Sequence, residues 1–369
     1  MRYKAFLRRA KEITVGIERK LSALLEDSFN PLYYHGAIPT MIFWAVLASG
    51  VFLFFYYTPT LEKAYTSVEY ISKYVPYGIV IRGFHRYSAD AMMLFVLIHL
   101  LRVYFTDRHR EYSHVPWITG VVLLILTLVV GASGYFLIWD ERAATLLAMT
   151  VDFFKGIGWM GVANFIQGGV TISDLTLARM LFFHITIPCI LFMFLWLHLI
   201  RISRPIVLPP AMLSILIIGA IFLFAGVMPV EFTDPAVYGS ISSSFVLDWF
   251  FLPLYFAYPF MSPGGFGIFI LALTAALFII PYIAREPKRI GAVVHDTKCT
   301  GCQLCYLDCP YAAIKMIPDP QKPKKLLARV SQPRCTECGI CVGACPFDAI
   351  ELTAPGYSDA DIEKQLVQV

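Results

Sequence analysis

The sequence predicts a mostly α-helical membrane protein: a transmembrane bundle of about six helices, followed by a small α+β domain at the C-terminus. Three observations carry that prediction. The 369-residue chain is 58% hydrophobic, with a mean hydropathy of +0.66, which is too apolar for a soluble globular protein. Six segments are each long and apolar enough to cross a hydrocarbon core of about 30 Å. Beyond about residue 286 the apolar runs cease, and eight of the nine cysteines appear in two tight groups. The net charge of only +4 gives no electrostatic footprint for a nucleic-acid partner.

The six spans fall at about 37–57, 80–105, 117–138, 180–200, 211–230 and 264–284. Orientation follows from Lys and Arg in the short loops. The N-terminal segment, the second and fourth loops (Arg108, Arg110, Arg201, Arg204) and the stretch after the last span (Arg285, Lys288, Arg289) are rich in them. The fifth loop, EFTDPAVYGSISSSFVLDW, has none. An even number of spans then places both termini in the cytoplasm. Residues 1–30 lack the apolar core of a cleavable signal peptide. They read as an amphipathic helix lying on the cytoplasmic surface of the membrane lipid, with an ordinary soluble helix as the alternative. Residues 31–287 form the membrane domain, and 288–369 a cysteine-rich domain and tail.

The two cysteine groups share one pattern, C-x2-C-x2-C-x3-C-P. CTGCQLCYLDCP supplies Cys299, Cys302, Cys305 and Cys309; CTECGICVGACP supplies Cys335, Cys338, Cys341 and Cys345. Three thiolates at this spacing fit the corners of an iron–sulfur cube, and in two-cluster proteins the fourth cysteine ligates the other cube. One cluster then takes Cys299, Cys302, Cys305 and Cys345, and the second takes Cys335, Cys338, Cys341 and Cys309. Zinc sites pair C-x2-C units rather than four cysteines in close succession before a proline, and a disulfide framework does not suit the cytoplasmic side. Over roughly 290–352 the tail resembles a bacterial ferredoxin with two [4Fe–4S] clusters, including the AAIKM and DAIEL that follow each run. Cys189, inside the fourth span, reads as a packing residue.

Ionisable residues inside a membrane span mark functional sites. The second span contains HRYSADAMMLFVLIH, with His85 and His99 fourteen residues apart; the fourth contains HITIPCILFMFLWLH, with His184 and His198 again fourteen apart. Fourteen residues turn a helix by about 1400°, about 40° short of four turns, and advance it about 21 Å. Each helix therefore projects two histidines from nearly one face at two depths. Two such helices make two bis-histidine sites, each able to hold a haem as a pure electron carrier. The first and third spans carry Gly36 and Gly50, and Gly120 and Gly134, at the same spacing; glycine removes the side chain where a porphyrin approaches the backbone. By helix direction, His85 and His184 serve an outer haem, and His99 and His198 an inner one. Arg82 and Arg86 flank the outer site, where they could pair with haem propionates or snorkel to the interface.

These residues resemble cytochrome b of the cytochrome bc and bf complexes. YGIVIRGFHRYSADAMMLFVLIHLLRVYFTD is similar to the second helix of the bf-type protein. SGVFLFFYYTPT and WITGVVLLILTLVVGASGYFLIWDE are similar to parts of its first and third helices. VLDWFFLPLYFAYP resembles the P-E-W-Y segment of the outer quinol-oxidation pocket. The resemblance spans about 30–285 and implies two b-type haems on the four histidines, a quinone of the menaquinone or ubiquinone type as substrate, and a homodimer. The chain departs from the family at several positions. Asp248 stands for the P-E-W-Y glutamate and Leu247 for its proline; Ile138 replaces a proline and Asp90 a small residue. Tyr34 occupies the position of a bf-type cysteine that binds a further haem. After the sixth span the ferredoxin-like domain stands where the family continues with more helices.

Quinone chemistry moves protons with electrons, which requires a proton-accepting group beside the site. Asp248 is the foremost candidate, with an interfacial acid as its bland alternative. Asp140 and Asp90 are weaker candidates, and Asp90 could simply pair with Arg86 one turn away. Tyr135, Trp139 and Trp249 could line the pocket or act as interfacial anchors. The expectation is a membrane electron-transfer subunit of a quinone oxidoreductase complex in a prokaryotic cytoplasmic (inner) membrane. It would join two haems to two cytoplasmic [4Fe–4S] clusters and to soluble flavin or iron–sulfur subunits. The alternative is the cytochrome b of a bc-like complex with a Rieske or cytochrome c partner and an added ferredoxin branch. A sensor or assembly protein whose cofactors only report redox state is a third class.

Overall fold

Most of the chain is helical because most of it is apolar and must satisfy its backbone internally. The structure, a computed structural model, describes residues 29–105, 114–200, 206–237, 248, 250–283, 291–309, 312–332, 334–335 and 339–352, with scattered positions between 6 and 25. The surface helix expected over 1–30 therefore falls largely outside the described residues. The described positions there include Phe6, Ile13, Ile17 and Leu24, all helical with exposed apolar side chains.

Among the described residues five helices are long and apolar enough to span: α1 (Ala37–Phe54), α3 (Gly78–Phe105), α4 (His114–Ile138), α7 (Asp174–Ile200) and α10 (Pro263–Ile279), the last extended by a 3-10 turn to Tyr282. The segment expected as the fifth of six spans forms α8 (Ala211–Val227), which has 17 residues. It starts behind Pro209 and Pro210, and its helical hydrogen bonding stops at Met228. At about 1.5 Å per residue it is about 26 Å long, a shorter apolar helix beside the five longer ones among the described residues.

Three helices between the spans were not expected: α2 (Ala64–Lys73), α5 (Glu141–Gly156) and α6 (Met160–Ile166). Each of the first two buries one stripe at helical spacing, Ala64, Ser67, Val68 and Ile71 in α2 and Ala143, Leu146, Leu147 and Val151 in α5. Asp140 caps α5 by accepting from Ala143 N at 2.9 Å.

Within the bundle α1 packs on α3 and α4 on α7, while α8 lies against α3. The principal core gathers Met93 of α3, Leu124, Tyr135 and Phe136 of α4, Leu146 and Leu147 of α5, Leu177 and Met180 of α7, and Phe251 and Leu252 ahead of the short helix α9 (Pro253–Ala257). A Cβ on Gly131 would stand 2.0 Å from Cδ1 of Phe251. That glycine therefore seats the 250–252 segment, and with it Asp248, on α4.

Residues 291–352 build two matching halves. In each half a strand leads into a short helix and out to another strand: β1 (Ala292–Val294), α11 (Leu304–Asp308) and β2 (Ile314–Pro318), then β3 (Leu326–Val330), α12 (Ile340–Gly343) and β4 (Ile350–Leu352). β1 pairs antiparallel with β4, Val293 opposite Glu351, and β2 with β3, Met316 opposite Ala328. The repeat extends to the backbone. Gln303 and Gly339 both take left-handed conformations (φ 68° and 80°), and so do Ala312 and Asp348 (both 47°). The small core contains the described cysteines Cys299, Cys305, Cys309, Cys335 and Cys341 beside Ile314, Leu327, Val330 and Ile350.

Candidate functional site

α3 and α7 bring their histidines face to face. The ring centroids of His85 and His184 are 6.3 Å apart, and those of His99 and His198 are 6.2 Å apart. A metal atom between two imidazoles, with metal–nitrogen bonds of about 2 Å, fills a gap of that size.

Each ring lies on a glycine of the neighbouring helix. A Cβ on Gly50 would stand 3.0 Å from His85 Cε1, and one on Gly134 3.0 Å from His184 Cε1. Gly36 and His99, and Gly120 and His198, repeat the relation at 3.4 Å. The missing Cβ leaves room for the imidazole ring at each of the four positions.

The glycines also bring each Nδ1 to a partner. His85 Nδ1 lies 3.0 Å from the Val46 carbonyl and 3.1 Å from Ser49 Oγ. His184 Nδ1 lies 3.0 Å from both the Val130 carbonyl and Ser133 Oγ. His198 Nδ1 meets Thr119 Oγ1 at 3.0 Å and the Pro116 carbonyl. In each case the carbonyl belongs to the residue four before the glycine, and the hydroxyl to the residue one before it. A carbonyl only accepts, so Nδ1 carries the proton and Nε2 is left free for a metal. His99 breaks the pattern. Gly36 is the N-cap of α1, and the residues before it form hydrogen-bonded turns rather than the helical turn that holds the partner carbonyl elsewhere. The side chain of His35 takes that place, Nδ1 to Nδ1 at 2.6 Å.

Beside the first histidine pair lies a polar cluster. Arg86 binds Asp90 and Tyr135, and its Nη2 lies 2.6 Å from Asp248 Oδ2. Tyr135 donates to the same Asp248 oxygen, and the Asp248 side chain is 3% exposed. Two carboxylates and the Tyr135 hydroxyl thus engage the Arg86 guanidinium in this cluster. Arg82 is the cation that remains. It is buried, donates to the Val230 carbonyl, and has its Nε without a hydrogen-bond partner among the described residues. Asp140 is buried next to the cluster, 3.8 Å from Arg142, whose guanidinium stands over the Tyr135 ring. Its Oδ1 caps α5 and its Oδ2 accepts from Thr233 N at 3.2 Å. Trp249 and Cys338 lie outside the described residues, as does Leu247.

One cysteine of the second half comes close to the first run. Burial first, and then the neighbouring Cys299, Cys302 and Cys345, push the Cys305 thiol up to about 12. Cys345 of the second run therefore sits with three cysteines of the first. Backbone N–H groups donate to sulfur in equivalent places, Ala313 to Cys309 and Ala349 to Cys345, both at 3.3 Å, and Ala292 donates to Cys335 at 3.3 Å. Such N–H···S bonds favour thiolate.

Residues 21–205 match the cytochrome b/b6/petB family. This chain belongs to the cytochrome b family. Cytochrome b6 of Gracilaria tenuistipitata var. liui is 34% identical over 178 residues, 47% of this chain and 83% of that protein. Cytochrome b6 of Synechococcus elongatus is 32% identical over 196 residues, 52% and 91%. A chain of a hyperthermophilic respiratory complex III shares the fold, with a TM-score of 0.60 and 20% identity, covering 74% of this chain and 82% of that one. Residues 292–352 match a 4Fe-4S dicluster domain.

For a cytochrome b the donor sets fit their cofactors. Paired imidazoles with glycine seats and an unengaged buried Arg82 N–H suit haem b, and cysteines accepting N–H bonds suit [4Fe–4S] clusters. Sequence reasoning missed four residues of this cytochrome b site. The hydroxyl before three of the four glycines (Ser49, Thr119, Ser133) was readable as a second repeat superposed on the glycine spacing. His35 carried a signal of its own, since it is the residue that breaks that repeat.

Proposed function

We propose that this cytochrome b is the membrane electron-transfer subunit of a quinone/quinol oxidoreductase complex. It links an outer quinone site through two b-type haems to two cytoplasmic [4Fe–4S] clusters and a soluble flavin or iron–sulfur partner, in a prokaryotic inner membrane. Bound haems and clusters supply one-electron carriers; the rest is done by the chain.

One observation carries the reading. A Cβ on Gly339, in the second cysteine loop, would stand 3.6 Å from Tyr33 Cε1. Tyr33 lies three residues before Gly36, the seat of His99. The cluster domain thus rests against the end of the bundle that holds the second histidine pair. A fused domain held there keeps its clusters beside the inner site permanently, and the soluble partner meets the domain from the cytoplasm.

At the other end, Asp248 and Asp90 share the single guanidinium of Arg86. With both carboxylates ionised the cluster holds one negative charge in excess. It can accept a proton from a quinol hydroxyl and still leave Arg86 paired. Asp248, joined to Tyr135, is the direct acceptor, and Asp90 is the second carboxylate. Arg82 holds a haem propionate with its unengaged N–H.

The test is the composition and turnover of the purified complex. Co-purifying flavin or iron–sulfur subunits, with cluster reduction driven by a quinol analogue or quinone reduction driven through the clusters, are expected. A Rieske or c-type cytochrome subunit, with clusters that do not turn over with quinol, would move the chain to the bc-like alternative.

A further inference from the structure

We propose that His35, held by Arg102, sets the reduction potential of the haem carried by His99 and His198. The inference rests on the haem reading of that histidine pair and goes beyond it, by assigning a role to two residues outside the ligand set.

The bonding fixes the protons. Arginine has five N–H donors and no lone pair to offer. Arg102 Nη1 lies 2.7 Å from His35 Nε2, and Arg102 is 3% exposed, so His35 Nε2 is an acceptor. The ring proton of His35 then sits on Nδ1. That atom is 2.6 Å from His99 Nδ1, so His35 donates and His99 accepts. The other three ligands do the reverse: each faces a backbone carbonyl and donates its own Nδ1–H. In this contact His99 is therefore offered a proton at the nitrogen away from the metal, rather than asked to give one.

Once its Nε2 proton has left to solvent and that nitrogen is the ligand, an imidazole in that state has imidazolate character and is a stronger electron donor through Nε2. Hydrogen bonding to axial ligands is one of the levers by which a protein sets haem potential. A stronger donor stabilises the ferric state and lowers the potential of that haem. The consequence falls at the right place, since the haem so tuned is the one whose helix end carries Tyr33 against the cluster domain. A lowered potential moves it toward the range in which a [4Fe–4S] partner exchanges electrons.

The experiment replaces His35 in the full-length protein by serine, the residue type that stands in the equivalent place at Gly50 and Gly134, and separately by leucine. Haem is counted first, and each haem is then titrated anaerobically by its optical spectrum. Both His35→Ser and His35→Leu are expected to retain two haems, with an upward shift of one potential and no change in the other. Two retained haems with neither potential shifted, or with the affected one shifted down, would overturn the proposal. Should the variants lose a haem, near-infrared magnetic circular dichroism of the unaltered oxidised protein decides. The account expects two ligand-to-iron charge-transfer bands, one displaced toward imidazolate ligation, and coincident bands refute it. An unaltered protein with only one haem would instead refute the parent reading.

Discussion

Gly134 and His184 act as one unit: a Cβ on the glycine would stand 3.0 Å from Cε1 of the imidazole. Ring, glycine, Ser133 and the Val130 carbonyl together set the direction of Nε2. Replacing Gly134 by valine puts a branched side chain where the ring lies. The expected outcome is loss of the His85–His184 haem alone, about half of the total haem, with the other haem and the clusters retained. Pyridine haemochrome quantitation on the purified variant checks this. Full haem content would show that the glycine is dispensable.

Asp248 shares Arg86 and Tyr135 on one oxygen, and its other oxygen accepts from Phe250 N at 2.5 Å. Asp248→Asn keeps the shape and removes the proton acceptor. Quinol-driven haem reduction should fall by about 10²-fold, the ordinary scale of lost general-base catalysis, with haem content unchanged. Asp90→Ser, which leaves Arg86 with Asp248 alone, should fall less. Equal rates in wild type and Asp248→Asn would remove Asp248 from the mechanism.

Cys345 is grouped with the first cysteine run although it is fourth in the second. Cys345→Ser should therefore disturb the same cluster as Cys302→Ser, and Cys309→Ser the other one. Paramagnetic resonance of the reduced protein distinguishes them by which cluster signal is lost or altered. If Cys309→Ser and Cys302→Ser removed the same signal, the clusters would be sequential rather than interleaved.

Asp140 caps α5, ties it to the loop at Thr233 and lies 3.8 Å from Arg142, which stands over the Tyr135 ring. Asp140→Ala should cost about 1 kcal/mol from the lost cap, read as a lower unfolding temperature in detergent, with both haem spectra unchanged. A drop in quinol turnover without loss of stability would give Asp140 a part in the chemistry instead.

Features that repeat were legible in the sequence. The histidines and glycines recur at one interval, which is four helical turns less about 40°, so periodicity alone placed them on facing surfaces. The cysteine spacing carried the cluster domain in the same way. Features that depend on long-range partners were not legible. The partners of Arg86, Tyr135 and Asp248, come from α4 and a distant loop. α2 and α5 escaped because their amphipathic stripes are short and sit between stronger apolar runs. The sequence marks His35 only as a break in the hydroxyl repeat; its contact with His99 Nδ1 depends on the folded backbone.

The central claim is that one chain carries a continuous series of one-electron sites from the Asp248 end of the bundle to the cysteine domain. An anaerobic redox titration of the purified protein, followed optically and by paramagnetic resonance, tests it most directly. The account predicts two low-spin, bis-histidine b-type haems and two [4Fe–4S] clusters per chain. A single haem, or iron present without cubane signals, would contradict it.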